Sequence, residues 1–230
     1  MKNPDHLCIA GDLAQAVHIG KSARIPRFED MARRNIHRLE GSYRLPVRIS
    51  EAIKPISEAI QLSFNKEDGV SIITPYKGSP PGARPIVVFG STHDELAVKI
   101  QAIFHTYSIF EIDRATILEK DYTLATALNR LGIKSETDTI LRLKGLEKRC
   151  ILWDTMAQVE YEKEVFEFVY TILSRTSSIL IIALMPSTLS LYKIVLGKLN
   201  ASRLIYWDKE SETEFQSLAV KSDVEASIDQ

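Results

Sequence analysis

The run IVVFGSTHDELAVKIQAIFHTY (residues 86–107) sets two periodicities side by side. Four consecutive apolar residues, Ile86 to Phe89, read as a β-type run, and the apolar positions Leu96, Ile100, Ile103, Phe104 and Tyr107 keep the three/four spacing of one helix face. The same pairing recurs toward the C-terminus. Strand-like runs fall at ATIL (115–118), CILW (150–153), ILIIA (179–183) and LIY (204–206). Between them lie the helical stripes Leu124/Leu128/Leu131, Phe166/Val169/Tyr170/Leu173 and Tyr192/Val195/Leu196/Leu199. Strands alternating with amphipathic helices predict an α/β fold with a parallel sheet and crossover helices. Thr139-Ile140-Leu141 is one more candidate strand before CILW.

Upstream of residue 86 the pattern is less regular. LCIA (7–10) reads as a buried strand, and Ile49, Ile53, Ile56 and Ile60 form a helical stripe that Pro55 is expected to kink or split. Residues 64–84 hold three glycines and three prolines and read as a linker. Beyond Trp207 the chain is polar and acidic and reads as a loosely held tail. The expected organisation is therefore 1–63, a linker at 64–84, a main domain at 85–207 and a flexible tail at 208–230.

With 230 residues, 45% of them hydrophobic, the chain can bury one substantial core. The net charge of −1 gives no overall attraction to nucleic acid or anionic membrane, but its distribution is uneven. Residues 21–48 carry eight Lys/Arg against three Asp/Glu, whereas 208–230 carry seven acids against two lysines. Cys8 and Cys150 both sit in apolar runs, which fits buried thiols in a reducing, cytoplasmic setting. No apolar run reaches the roughly 18 residues of a membrane span, and the N-terminus lacks the apolar region of a signal peptide. The five histidines show no i, i+4 pairing and no neighbouring cysteine pair, so no metal site is expected.

Gly20-Lys21-Ser22 has the last three letters of a phosphate-binding loop, but the position that must be the first glycine is Gln15. Gly11-Asp12 and Gln15 carry a different signal. AGDLAQAV (10–17), followed by RFEDM, resembles the GDxxQ motif III of UvrD/Rep-type helicases of superfamily 1. LEGSYRLPVRI (39–49) is similar to that family's motif IV, TILRLKGLEKRCILWD (139–154) to its motif V region, and VYTILSRTSSILIIAL (169–184) to its motif VI. Four such segments in the family's order extend the resemblance over residues 7 to about 207.

The resemblance implies a RecA-like, P-loop-NTPase-type parallel sheet with helices on both faces. It also implies roles. Gln15 would hydrogen-bond the ATP γ-phosphate or its attacking water, and Arg44 and Arg175 would be arginine fingers on the γ-phosphate, where transition-state charge accumulates. Glu147, in the Lys144-Gly145-Leu146-Glu147 turn, would accept a hydrogen bond from the ribose. Gly145 would shape that turn, and Asp12 would position the motif III loop. Thr139, Lys144 and His18 would lie on the side that meets DNA, single-stranded or partly duplex. His18 stands where the family has a stacking aromatic, Ser42 where it has asparagine, and Leu141 where it has histidine.

No G-x-x-x-x-G-K-[ST] occurs, and no strand ending in paired acids precedes residue 7. The resemblance thus places Mg²⁺-ATP binding on a first domain outside this chain, which alone would bind no cofactor and hydrolyse no ATP. The expected object is the second domain with a remnant of the first, as a fragment, a split gene product or a degenerate homologue. A plainer reading stands beside each assignment. Arg44 can be a surface arginine stacked on Tyr43, and Arg175 a helix C-terminal charge complementing the dipole. Lys144 and Glu147 can be a charged turn, and Asp12 and Gln15 an Asx-type loop. A non-catalytic scaffold that holds a protein partner is the alternative function.

Overall fold

A computed structural model of the chain describes residues 41–42, 45–63, 74–109, 116–118, 123–134, 136–138, 147–156 and 165–228. Its centre is a six-stranded parallel sheet of β3 (Ile86–Phe89), β4 (Thr116–Leu118), β5 (Glu136–Asp138), β6 (Lys148–Asp154), β7 (Thr176–Leu184) and β8 (Ile205–Tyr206), in the order β5-β4-β6-β7-β3-β8. Each apolar run from residue 86 onward falls on a strand, and LCIA (7–10) lies outside the described residues. The additional strand is β5 at 136–138, while the candidate at 139–141 lies outside the described residues. A two-stranded parallel sheet pairs β1 (Gly41–Ser42) with β2 (Thr74–Pro75).

Side chains alternate across the pleat, so each central strand feeds two cores. Ile86, Val88, Cys150, Leu152, Ile181 and Ala183 face a layer made by α2 (His93–Thr106) and α3 (Thr123–Arg130). Val87, Phe89, Ile151, Trp153, Leu180 and Ile182 face the opposite layer. That layer holds α1 (Val47–Ser63), α4 (Val165–Leu173), α5 (Ser190–Gly197) and α6 (Lys209–Ile228). This is the α/β class expected, a parallel sheet with helices on both faces. Trp153 is fully buried in the second layer, edge-on to Tyr192 with ring centroids 5.0 Å apart, and its indole nitrogen has no hydrogen-bond partner.

Local chemistry explains where helices start and where expectation failed. At α2, the Thr92 hydroxyl accepts the Glu95 N–H while the Glu95 carboxylate accepts the Ser91 N–H, a reciprocal cap that fixes the first turn. Leu131 shares the spacing of the α3 stripe but lies past the helix end and is 36% exposed, because the chain turns at Gly132, whose φ of +76° is left-handed. Pro55 does not split its helix into two elements, since α1 runs from Val47 to Ser63. Ile49, Ile53, Ile56 and Ile60 are at most 2% exposed, and each such burial is worth about 1.5–3 kcal/mol, comparable to the roughly 3 kcal/mol proline penalty.

Two boundaries also shift. Helix α1 packs into the same core as β3, β6 and β7, so 45–63 belongs with the main domain. The segment 208–230 is not wholly a loose tail, because 209–228 is helical and Ser211, Phe215 and Leu218 are buried. The Ser211 hydroxyl accepts the Phe89 N–H at 2.9 Å, and Lys99 joins Glu95 on its own helix to Asp208 and Glu210 at 2.7–3.1 Å. Burial works against the Lys99 charge, but its bonds to Glu210, Asp208 and Glu95 outweigh it and hold the ammonium above its ordinary range. No helix among the described residues is long and apolar enough to cross a membrane.

Candidate functional site at the amino-terminal edge of the sheet

In a parallel sheet all strands start at one edge, and three sequence-predicted segments meet at that edge. Glu147 is the exposed residue before β6, and Arg175 closes the turn between α4 and β7. These strands are neighbours, and the first N–H of β6, on Lys148, donates to the Arg175 carbonyl at 3.0 Å. The register slips between Lys148 and Cys150, which leaves Arg149 on a bulge. The Thr176 hydroxyl holds that bulge, lying 3.0 Å from the Arg149 carbonyl and 2.7 Å from that of Ile179.

The third segment arrives through the loop before β3. The Ala83 N–H donates to the Ser178 carbonyl at 3.2 Å, and the Pro80 and Pro81 carbonyls accept the Val47 and Arg48 N–H groups at the start of α1. Gly82 is required here. Its φ is +63°, and a Cβ on it would lie 2.3 Å from Pro46 Cβ. Leu45-Pro46 is thereby held against the starts of β3 and β7, directly after Arg44.

Arg175 is 2% exposed, so its guanidinium lies inside the edge and not on it. A buried cation is costly unless it is engaged by the protein around it. The solvent-exposed cations of this edge include Arg48, Arg84 and Arg149. Lys148 is taken by Glu136 at 2.8 Å. Of the nine residues singled out in the sequence, Glu147 and Arg175 are described and share this edge. Asp12, Gln15, His18, Arg44, Thr139, Lys144 and Gly145 lie outside the described residues.

The opposite edge carries a constellation that the sequence did not suggest. Asp154, at the end of β6, is fully buried, and its carboxylate lies 3.2 Å from His93 Nε2 at the start of α2. Beside them is a cavity of about 380 Å³ lined by Thr92, His93, Asp94, Thr123, Thr126 and Arg130, with Arg130 paired to Asp94 at 3.2 Å. The only sequence signal was Gly90-Ser91-Thr92 directly after a strand. Among the described residues no group of three or more His, Cys, Asp or Glu side chains is placed to hold a metal ion.

No protein-family model matches the chain, and no curated protein does either. Among solved structures, the fold is similar to the C-terminal domain of a possible DNA helicase from Lactobacillus plantarum WCFS1. The TM-score is 0.49 at 20% identity, covering 73% of this chain and 99% of that one.

Proposed function

We propose that this chain is the second RecA-like domain of a UvrD/Rep-type DNA helicase, whose amino-terminal sheet edge completes an ATP site on a P-loop domain outside the chain. The observation that carries the proposal is the convergence of three separated segments, 45–48, 147–149 and 174–176, on the starts of β3, β6 and β7. In this reading Mg²⁺-ATP is held by the other domain. Arg44 and Arg175 act on the γ-phosphate, Gln15 on the phosphate or attacking water, and Glu147 on the ribose. Asp12 and Gly145 shape their loops, and His18, Thr139 and Lys144 face single-stranded or partly duplex DNA. Planar, permanently charged guanidinium groups suit the phosphate role because they stabilise charge that grows in the transition state.

The test is ATP turnover, with and without single-stranded DNA, by this chain alone and joined to a P-loop domain. Turnover only in the joined form, falling about 10³-fold or more in Arg44→Ala or Arg175→Ala, is the expected result. Full activity in both variants would remove the finger roles. A second reading, a non-catalytic scaffold that kept the fold, is favoured by one observation: the 2% exposure of Arg175 suits a packing role better than a reach toward a ligand. It predicts no turnover in either form.

A further inference from the structure

The carboxyl edge of the sheet holds an acid in need of a counter-charge. Asp154 is fully buried at the end of β6. One of its carboxylate oxygens accepts the Met156 N–H at 3.1 Å, and the other lies 3.2 Å from His93 Nε2. Among the described residues no lysine or arginine nitrogen comes within 4 Å of it. A carboxylate taken out of water is costly unless it is paired. His93 is the group placed to supply the opposite charge, and a histidine does so only while it is protonated.

The pair joins elements that the sheet keeps apart. Strand β7 lies between β6 and β3, and α2 follows β3. The strand ends are fastened on their own account. The Gly90 N–H donates to the Leu184 carbonyl at 3.1 Å, and the Thr155 N–H and hydroxyl both donate to the Ala183 carbonyl, at 3.2 and 2.8 Å. His93–Asp154 is an added link that pins the first turn of α2 over the end of β6, so its loss would free that turn without parting the strands.

Solvent protons have a route to one partner and not to the other. The His93 side chain is 19% exposed and lines the cavity of about 380 Å³, whereas Asp154 is sealed. The other charged groups on that cavity, Asp94 from α2 and Arg130 from α3, neutralise each other at 3.2 Å. The start of a helix disfavours a cation, but a carboxylate in contact and out of water outweighs that field.

We propose that His93 and Asp154 form a proton-controlled latch: a protonated His93 locks the first turn of α2 onto β6, and loss of that proton releases the turn and opens the buried carboxylate to the cavity. The device lies on the edge opposite the nucleotide reading and stands if that reading fails.

The test is NMR spectroscopy of the full chain across neutral pH. The ring resonance that disappears in His93→Gln identifies His93, which should titrate about one pH unit or more above the ordinary histidine value of about 6.5. The Glu95 and Leu96 N–H groups both bond to Thr92, at 3.2 and 3.0 Å, and so report the first turn of α2. Their hydrogen-exchange protection should fall about tenfold as pH rises through the His93 midpoint, and should stay level in His93→Gln. A histidine whose folded pKa is raised stabilises the fold in full below its unfolded value, and that contribution is lost as pH rises through the folded value. The parent should therefore out-melt His93→Gln by about twice as much at about pH 6 as at about pH 8.5. Asp154→Asn keeps the shape and removes the charge, and should return His93 to about 6.5. If that variant does not fold, the parent and His93→Gln decide between them. Asp94→Asn/Arg130→Gln, which removes the exposed pair without changing net charge, should keep the midpoint and the loss of protection. A His93 midpoint at or below the ordinary value, protection in the parent that does not change with pH, or a melting difference equal at the two pH values overturns the latch.

Discussion

Arg175 and Arg48 lie near the same edge of the sheet under opposite conditions. The first is 2% exposed and the second is open to solvent. Arg175→Ala removes packed volume and a buried charge together, and should cost about 2–4 kcal/mol in a urea titration. Arg48→Ala should stay within about 0.5 kcal/mol. The sequence could mark Arg175 by its place in VYTILSRTSS, but its burial comes from how the α4–β7 turn packs, which no local pattern encodes. Charge at the Lys99 cluster gives a pH prediction. The Glu95 carboxyl is held below its ordinary value first by the Ser91 N–H and then by Lys99. Partial burial opposes the Asp208 charge, but bonds from Ser211 and Lys99 outweigh it and again lower the pKa. A carboxyl with a lowered folded pKa stabilises the fold above its unfolded value, about 4, and that contribution is lost as pH falls through the folded value. Melting temperature should therefore drop on acidification below about pH 4, and the drop should be smaller in Lys99→Met.

At the scale of elements, two glycines of one loop make a controlled comparison. Gly82 has φ +63° and a Cβ would collide with Pro46, whereas Gly78 has φ +95° and open space around it. Both alanine variants carry backbone strain of about 1–3 kcal/mol, but Gly82→Ala must also push the loop off the start of α1. Thermal melts should place Gly82→Ala well below Gly78→Ala, with amide protons at Val47 and Arg48 losing hydrogen-exchange protection in the former alone. By composition this loop reads as a linker, because it is rich in glycine and proline. What they do was hidden, because the carbonyls of Pro80 and Pro81 find their donors more than 30 residues upstream. Helix α6 was missed for a related reason. The buried positions among its described side chains, Ser211, Phe215 and Leu218, stand among acidic residues, and its anchor is a hydroxyl accepting from Phe89.

For the molecule as a whole, the alternation of strand-like runs and helical stripes after residue 86 was enough to foresee the parallel sheet, since those periodicities are properties of the elements themselves. The layer that covers one face was not foreseen, because α1 and α6 come from outside the 85–207 boundary drawn from composition. A chain of residues 85–207 would leave Val87, Phe89 and Leu184 without much of their cover. It should lack a cooperative melt, while residues 41–228 should keep one, as read by circular dichroism.

Trp153 turns that layered construction into an optical instrument. Its indole sits dry between the sheet and the α4–α5 layer, with Tyr192 edge-on at 5.0 Å, while Trp207 packs toward the other layer. Replacing Trp207 with phenylalanine would leave one tryptophan, on one face, to be excited selectively over the tyrosines. Its emission would move to longer wavelength only when that face admits water, so the separation of the two layers could be timed without attaching a dye.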